Sequence, residues 1–430
     1  MSLDVRGRVL RALLALPLLA SPAAARASGF AIESQGARAM GFSGAYVAQA
    51  ADPSAIFYNA AGIGFLKGRQ IYVAGALAGV STDFTGEGSF PPAGTLEKSD
   101  NALAVLPSVY YSQQVGRKTV IGLGVSRPFG VRSKWDNPET FTGRYICLEC
   151  RISSWSINPT IAYKLADRFS VGAGIDVRLS KFELTRRLMA DPNPFPVPTD
   201  VAELTLGSGT ETGVGFNLGL LASPTESFSI GVAYRHEVTI DHAAQASFVQ
   251  ILTGTQEVDD AVKAALPASQ PATVSFTYPG SIAAGVALRR GYWTVEADFQ
   301  WMLWSSFDAV TLAFANSPAL DTVLPQEWES TWRGALGVEY LIGDNWEARG
   351  GYGYDHSPAP TETISPFIHD ADRHTFGVGG TWKNERLRLD FNVRYVLFRT
   401  SSTLGISRYG YDGSYDTSGL QLGASLGYQF

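Results

Sequence analysis

The stretch WTVEADFQWML, residues 293–303, places apolar and polar side chains at alternating positions. One face of the stretch is polar and carries Thr294, Glu296, Asp298 and Gln300. The other face carries valine, alanine, phenylalanine, tryptophan and leucine. Because the side chains of a β-strand point alternately to its two sides, the pattern predicts a strand with one apolar and one polar face.

Alternation of this kind recurs along the chain, for example in residues 387–396 and 420–430. It does not by itself separate a soluble β-sandwich from a transmembrane barrel. Two features favour the barrel, because the polar faces carry charges and glycines and the apolar faces end in aromatic residues, as in the girdles of outer-membrane barrels. These aromatic residues are Trp155, Tyr163, Trp328, Tyr340, Trp346, Tyr354, Phe376 and Trp382.

The lengths of the connections favour the same fold. We expect strands centred near residues 75, 108, 123, 158, 176, 215, 234, 281, 301, 334, 350, 376, 392 and 424. Every second connection is short, at 116–117, 166–168, 224–226, 290–291, 343–345 and 383–385. The connections between these are long, such as 190–200, 250–271 and 401–417. Short turns on one side, long loops on the other and an even strand number are typical of outer-membrane barrels.

A sheet that spans lipid must close on itself, since its backbone groups find no water to bond. The sequence therefore predicts an all-β fold, a 14-stranded antiparallel transmembrane β-barrel that occupies residues 69–430 and ends on the aromatic Phe430.

The first 27 residues have the pattern of a secretory signal peptide. Arg6, Arg8 and Arg11 precede an apolar core at 13–20, and small residues stand at positions 25 and 27. The apolar core is too short to span a bilayer as a helix. We expect cleavage after Ala27, and hence export out of the cytoplasm.

Composition and residue spacing argue against several function classes. The net charge of −6 is spread over the chain, whereas a nucleic-acid-binding protein shows a basic patch. Cys147 and Cys150 form a C-x-x-C pair without the helix or βαβ context of a redox site, so we expect a loop disulfide. The five histidines show neither metal-ligand spacing nor a nucleophile partner. We predict no metal, no cofactor and no enzymatic activity.

The segment that precedes the first strand carries short, specific motifs. They are Ser28-Gly29-Phe30, residues 36–41, Ser43-Gly44-Ala45, residues 52–56 and Asn59-Ala60-Ala61-Gly62. Together with the stretches 155–177, 332–360 and 370–380, they make the chain similar to the FadL family of outer-membrane transporters for long-chain fatty acids and other hydrophobic compounds. The resemblance runs over essentially the whole mature chain and is most specific in the N-terminal block.

The resemblance implies a mechanism of transport. Residues 28–68 are expected to form a hatch inside the lumen, and an inward kink in the third strand is expected to open the wall so that the ligand leaves sideways into the membrane. The expected function is passive uptake of hydrophobic molecules, with long-chain fatty acids as the first candidate substrate. Aromatic or aliphatic hydrocarbons are the alternative, and a general polar-solute porin is a more distant one.

The resemblance also implies a location and partners. We expect a monomer in the outer membrane of a Gram-negative bacterium, in contact with outer-membrane lipid and lipopolysaccharide. Its ligands are expected to be small hydrophobic molecules.

The hatch and gating residues implied by the resemblance are Phe30, Asn59, Ala60, Ala61 and Gly62. The family usually has proline where this chain has Ala60. Since proline fixes φ and pre-shapes a turn, its absence is expected to loosen the hatch or to shift its gating. Asn59 retains a side chain that can bond neighbouring backbone or the kinked wall.

The kink is expected within residues 119–133, at Arg127, Pro128, Phe129 and Gly130. Pro128 lacks an N–H, and proline or glycine inside a strand marks a bulge or bend. An alternative is that residues 128–130 begin an external loop.

Two basic residues are candidates for binding a ligand carboxylate. Lys181 matches such a position in the family, although a bulge at Ser180-Lys181 is required to turn it inward, and Arg333 is the second candidate. The family's other basic position falls on Glu329, which leaves neutral hydrocarbons open as ligands.

Strand parity predicts many other charged residues in the lumen, of both signs, and a buried charge needs a partner. We therefore expect a paired network that fixes the hatch. The predicted inward residues are Asp176, Arg178, Arg235, Glu237, Glu296, Asp298, Arg333, Glu339, Glu347, Arg349, Asp355, Arg388, Asp390 and Arg394.

Overall fold

The sheet closes through its first and last strands. The computed structural model describes residues 29–100, 102–190 and 198–430, so the predicted signal peptide, residues 1–27, lies outside the described residues. Arg69–Gly86 pairs antiparallel with Gly413–Gln429 from Gln70 opposite Gln429 to Gly86 opposite Gly413. Each strand between them pairs with the next along the chain, which completes a closed antiparallel barrel of 14 strands, as predicted.

We number these strands β1 to β14 and write an interrupted strand as two ranges. They are β1 (Arg69–Gly86), β2 (Leu96–Lys98 and Ala104–Gln114), β3 (Thr119–Ser126 and Gly130–Lys134), β4 (Glu149–Ala166), β5 (Phe169–Met189), β6 (Asp200–Ser208 and Glu211–Thr225), β7 (Phe228–Arg235 and Val238–Gln250), β8 (Gln270–Tyr278 and Ser281–Arg290), β9 (Trp293–Met302 and Ala309–Phe314), β10 (Thr322–Pro325 and Thr331–Ile342), β11 (Trp346–Asp355), β12 (Arg373–Lys383), β13 (Leu387–Phe398 and Ser401–Ser402) and β14 (Gly413–Gln429).

The predicted strand centres all fall inside these strands, and the predicted short connections all lie at strand ends. One loop boundary was wrong by more than two residues. Residues 413–417 were assigned to a long loop, but they belong to β14, where they pair with residues 82–86 of β1. The upper ends of these strands therefore continue well past the length that a bilayer requires, about 9–11 residues.

The lower half of the barrel, on the side of the short turns, has a polar lumen and an apolar exterior. In β9, Glu296 and Asp298 are buried, whereas Phe299 and Trp301 on the other face are 50% and 38% exposed. This is the polarity expected of a wall with lipid outside and a polar interior.

The upper half of the barrel reverses this polarity. In β7 the lumen-facing residue below the break at 236–237 is Arg235, and above the break Val238 and Ile240 are buried. Glu237, predicted to face the lumen, is exposed, and this prediction was wrong because alternation changes phase at the break. The breaks at 209–210 and 279–280 change the phase of β6 and β8 in the same way.

The reversal has a simple physical cause. Above the membrane the outer face of the wall meets water instead of lipid, so the apolar side chains turn inward and pack against each other. The resulting apolar core contains Phe182, Phe276, Val310 and Leu312, all nearly inaccessible to solvent.

Residues 29–68 lie inside the barrel and form short helical pieces. These are α1 (Ala37–Gly41), α2 (Ala55–Tyr58) and a 3-10 turn at Ala60–Phe65. Hydrogen bonds connect this lumenal segment to Asp298 of β9, Glu339 of β10 and Ser425 of β14. One segment can reach the lumen-facing side chains of strands so far apart only from the interior of the barrel.

A third helix, α3 (Gln256–Ala265), lies in the long loop between β7 and β8 and buries none of its residues. No helix among the described residues is long and apolar enough to cross a membrane.

Candidate functional site: a window in the barrel wall

Aromatic rings surround the N-terminal end of the lumenal segment. Phe30 is 5% exposed. Five ring centroids lie between 4.8 and 6.3 Å from its own, those of Trp304, Phe307, Trp328, Phe129 and Tyr278. Most of these contacts are edge-to-face, a favourable arrangement for aromatic rings. We call this group the Phe30 cluster, and it fixes the first described residues of the chain.

The same residues pair with the interrupted strand β3. Ala31 forms an isolated antiparallel bridge with Phe129. The amide of Ile32 donates to the carbonyl of Pro128 at 2.8 Å, and the amide of Gly130 donates to the carbonyl of Phe30 at 3.0 Å. The backbone groups of Pro128 and Gly130 thus bond the lumenal segment and not β2.

The interruption of β3 is a bulge and not the start of a loop. Ser126 pairs with Ser156 of β4 below it, and Gly130 pairs with Ser153 above it. Between these pairs three residues of β3 stand opposite two of β4, and the extra residue displaces the strand from the wall. The strand then continues to Lys134, so residues 128–130 do not begin an external loop.

This displacement leaves a window between β2 and β3. The pair Val109–Val125 is the last rung below it, and a bridge between Ser99 and Trp135 closes it above. Between these limits no backbone ladder joins the described residues of the two strands. Side-chain contacts cross the window there: Arg127 donates to the carbonyl of Val105 at 3.1 Å, and Arg132 pairs with Asp100 at 3.4 Å.

A cavity of about 620 Å³ occupies the window. Its inner wall includes Ala78, Val396 and Gln421, which face the lumen. Leu103 and Val105, 68% and 57% exposed, line its other side. The cavity is lined from both faces of the barrel wall, and we call it the window cavity.

The loop between β11 and β12, residues 356–372, covers the top of this cavity. His369 lines it and lies 2.9 Å from the hydroxyl of Thr82, and burial lowers the pKa of His369 to about 4. Asp370 accepts a hydrogen bond from the amide of Gly29, and burial raises the pKa of Asp370 above its usual value. Burial also raises the pKa of Asp372 to about 6.

The Asn-Ala-Ala-Gly motif connects the lumenal segment to β6, away from the window. Asn59 donates to the carbonyls of Val47 and of Leu220 in β6, at 2.9 and 3.0 Å, and accepts from the amide of Ala61 at 3.1 Å. A Cβ at Gly219 would stand 2.3 Å from the Asn59 carbonyl oxygen, so only glycine permits this approach. Asn59 therefore bonds β6 and not the kinked β3.

The remaining residues of the motif are packed rather than exposed. Ala60 begins the 3-10 turn, and Ala60, Ala61 and Gly62 are buried. A Cβ on Gly62 would meet the carbonyl of Ala50 at 2.4 Å, which explains the glycine here.

Two neighbouring carboxylates of β9 hold the centre of the lumenal segment. Asp298 accepts from the amides of Tyr46 and Val47 at 2.6 and 2.9 Å. Glu296 accepts from the amides of Ala48 and Gln49 at 2.6 and 3.2 Å. The wall thereby provides hydrogen-bond acceptors for four consecutive backbone amides, which are not bonded within a helix.

The other predicted lumenal charges form the expected paired network. One group connects Arg38 of the lumenal segment with Glu339, Glu347, Arg349, Lys383, Arg388 and Asp390. A second connects Asp176 with Arg178 and Arg235. Neither group nor any other among the described residues has the geometry of a metal site.

The structure contradicts the predicted orientation of Lys181. The β4–β5 register runs without a bulge from Glu149 opposite Thr185 to Ile157 opposite Val177, so Phe182 faces the lumen and Lys181 faces outward. Its ammonium pairs with Glu183 at 2.6 Å, and its side chain is 44% exposed.

The second carboxylate candidate, Arg333, faces the lumen but is occupied. It pairs with Asp355 at 2.9 Å and donates to the carbonyl of Ser43. Arg333 therefore anchors the lumenal segment. Cys147 and Cys150 are joined by a disulfide beside the upper apolar core.

Sequence reasoning did not single out Arg394, which lines the window cavity. Parity indicates that it faces the lumen, but it gives no means of separating an arginine with a carboxylate partner from one without. The same holds for the two carboxylates of β9, whose partners are backbone amides.

The chain is similar to known outer-membrane proteins. A family model described as "Outer membrane protein transport protein (OMPP1/FadL/TodX)" matches residues 18–430. The long-chain fatty acid transport protein of Salmonella typhi is 24% identical over 367 residues, 76% of this chain and 78% of that protein.

Solved structures show the same fold. A Pseudomonas aeruginosa FadL homologue has a TM-score of 0.79 at 22% identity and covers 94% of this chain and 100% of that chain. The Ralstonia pickettii toluene transporter TbuX has a TM-score of 0.67 at 18% identity, over 93% of this chain and 99% of that chain.

Proposed function

The chain belongs to the OMPP1/FadL/TodX family of outer membrane transport proteins, and from this membership we propose that it takes up hydrophobic molecules passively and releases them through the window between β2 and β3. Membership confirms the resemblance read from the sequence and the outer-membrane location. The members of this family are transporters, which agrees with the absence of a catalytic constellation in the sequence.

The window cavity is the observation that carries the proposal. Its volume of about 620 Å³ lies within the usual range of small-molecule sites, about 300–1,000 Å³. Because it is lined from the lumen and from the outer face, a ligand that fills it already borders the membrane. An apolar ligand gains free energy by moving from there into lipid, so no energy source is required.

The lumenal segment acts in this proposal as the hatch, which the sequence predicts over residues 28–68. Its first residues form the inner boundary of the window through the bridge between Ala31 and Phe129. A ligand that enters from the lumen must displace this contact. Phe30, Arg127, Pro128 and the bridge residues are the proposed gate, while Asn59 holds the opposite end of the hatch in place.

Long-chain fatty acids are the first candidate substrate. The cavity combines apolar surface with arginines, which suits an acyl chain with one carboxylate, and its lining also includes the acidic residues Glu33, Asp100 and Asp370. The Salmonella typhi relative carries that substrate class in its name. Neutral hydrocarbons are the second candidate, favoured by the outward orientation of Lys181 and by Glu329 at a position where the family has a basic residue.

We propose further that residues 1–27 are removed as a signal peptide and that the barrel is a monomer. Its outward apolar band, which includes Phe299, Trp301 and Leu422, would contact outer-membrane lipid, and lipopolysaccharide would surround the upper wall.

Growth and conductance test this function. The chain is expressed in a Gram-negative strain that lacks its own uptake channel for fatty acids and hydrocarbons, and growth on oleate is compared with growth on toluene. Growth on either compound supports hydrophobic uptake and identifies the class, and growth on neither contradicts the proposal. A large steady aqueous current in planar bilayers would instead indicate a polar-solute porin.

A further inference from the structure

We propose that Arg394, assisted by Ser34 of the lumenal segment, binds the carboxylate of a fatty acid whose chain lies in the window cavity. This inference rests on the proposed function and extends it, because it selects an amphipathic acid over a neutral hydrocarbon.

Arg394 differs from the other buried arginines among the described residues. Arg38, Arg178, Arg333 and Arg349 each form an ion pair with a carboxylate of the wall at 3.2 Å or less. Arg394 is 5% exposed, and no carboxylate among the described residues forms an ion pair with it.

The nearby charges have other partners or lie farther away. Asp355 is the wall carboxylate with the strongest electrostatic attraction for Arg394, but it forms its ion pairs with Arg333, at 2.9 Å, and with Arg373, at 3.8 Å. Glu33 of the lumenal segment lines the same cavity as Arg394 and forms no ion pair with it among the described residues. A buried arginine in this situation is costly, because little compensates its lost hydration. A charged group inside a membrane protein that is kept at such cost indicates a functional site.

The hydrogen-bonding groups around Arg394 leave capacity for an anion. Its Nη1 donates to the hydroxyl of Ser34 at 3.4 Å, and that hydroxyl donates to the side-chain carbonyl of Gln421 at 2.7 Å. The Nε of Arg394 has no hydrogen-bond partner in the described part of the chain. A guanidinium with free N–H groups is suited to a carboxylate, which it can bind in a two-bond fork.

The position of Arg394 fits the head of a long apolar molecule. Arg394 lines the lumenal side of the window cavity, and Ala78, Val80 and Leu106 provide apolar surface beside it. Val80 is on the lumenal face of β1 and yet 45% exposed, because it borders the cavity. An acyl chain placed there leads from the guanidinium toward the window, so the head stays in the lumen while the tail approaches the lipid.

Binding of matched ligands tests the assignment. The full chain is reconstituted in lipid nanodiscs, and its affinity is measured for palmitate and for 1-hexadecanol, which has the same chain length and no charge. Arg394→Gln should weaken palmitate binding by about 10- to 100-fold, the effect of losing charge-assisted hydrogen bonds, and leave hexadecanol binding unchanged. Arg394→Lys should restore part of the palmitate affinity.

Two further variants sharpen the test. Arg289→Gln is the matched control, since Arg289 is half-buried near the periplasmic turn, bonds Ser229 and does not line the window cavity. Glu33→Gln should strengthen palmitate binding, because it removes a negative charge that competes for Arg394.

The possible results separate this inference from the proposed function. If the wild type binds hexadecanol as tightly as palmitate, hydrophobic uptake stands and the carboxylate site is refuted. If Arg394→Gln weakens both ligands equally, or neither, Arg394 does not recognise the head. Binding of neither ligand by the wild type contradicts the proposed function itself.

Discussion

The main chains of Ala31 and Phe129 pair in a single antiparallel bridge that joins the lumenal segment to the interrupted strand β3. Two hydrogen bonds flank the bridge, one to the carbonyl of Pro128 and one from the amide of Gly130. The residues that form the inner boundary of the window are therefore bonded to the residues that create it. The lumenal segment cannot withdraw from the window without breaking this bridge.

A cross-link at the bridge should lock the window. In an antiparallel pair whose hydrogen bonds lie on the adjacent residues, the two Cα atoms are about 4.5 Å apart, within the range that a disulfide tolerates. The double variant Ala31→Cys/Phe129→Cys should therefore oxidise readily, and oleate uptake by cells should fall to background when it does. Uptake should return on reduction. Oxidised protein with undiminished uptake would show that residues 30–32 need not move.

Loss of the Phe30 ring should release the N-terminal end of the lumenal segment. Phe30→Ala removes a buried ring from five aromatic neighbours, and such truncations cost about 3–5 kcal/mol. Hydrogen exchange at residues 30–34 should accelerate by at least tenfold, roughly the effect of 1.4 kcal/mol. Phe57→Ala is the control, because Phe57 is only half-buried and contacts Tyr58 and Arg235 at the other end of the segment. Equal acceleration in both variants would mean that the cluster has no special role.

Much of the barrel was predictable because its signal is local. The alternation of apolar and polar side chains in 293–303, and in the other strands, follows from the pleat of a single strand. Each strand can therefore be recognised from its own residues alone. The short turns were equally local. The side of the wall on which Glu237 lies could not be predicted in this way. The break at 236–237 depends on where the wall leaves the membrane, and no single strand encodes that position.

The site residues required knowledge of pairs. Lys181 faces outward because β5 continues without a bulge, and a resemblance at one position cannot report the register of a whole strand. Arg394 differs from Arg333 only by what lies across the lumen, where Asp355 pairs with Arg333. Such partners are distant in sequence, so the alternation pattern of one strand does not identify them.

Restoring the family's proline should stabilise the lumenal segment. Ala60 begins the 3-10 turn, a position that favours proline, and Asn59 before it is extended at φ −157° and ψ 102°, as a residue preceding proline requires. Ala60→Pro should raise the opening free energy of residues 55–65 by about 0.4–1 kcal/mol, measured by hydrogen exchange. Ala61→Pro is the matched control and should be destabilising, because the amide of Ala61 donates to Asn59. A loss of stability in both would imply that the wall at Gly219 is too close for the ring.

The two carboxylates of β9 should prove essential for holding residues 46–49. Asp298→Ala leaves the amides of Tyr46 and Val47 without an acceptor, and each buried unsatisfied group costs about 1–3 kcal/mol. Limited proteolysis should then cut near residue 50 in the folded barrel. Asp298→Asn keeps one acceptor oxygen and should be milder. Asp241→Ala, on the outer face of β7 where Asp241 bonds Ser275, should leave proteolysis unchanged.

Acid should loosen the loop at 356–372 through His369. Burial lowers its pKa to about 4 from about 6.5, so the unfolded loop binds a proton before the folded one does. The stabilisation is complete above pH 6.5 and is lost as pH falls through 4, up to roughly 3 kcal/mol. Asp372 acts in the opposite direction, because its raised pKa of about 6 makes its contribution largest in acid and removes it as pH rises through 6.

The ring of Trp135 lies 5.8 Å from that of His369, so tryptophan fluorescence between pH 7.5 and pH 4 should report the loosening. His369→Gln removes the histidine contribution and keeps a group that can bond Thr82, so its acid transition should be smaller than that of the wild type. The effect of Asp372 is common to both proteins and cancels in the comparison. His374→Gln, which alters a histidine bonded to Tyr352 on the outer face, should follow the wild type. If His369→Gln loosens at the same pH and to the same extent as the wild type, protonation of another group opens this loop, and the window cavity loses its cover for a different reason.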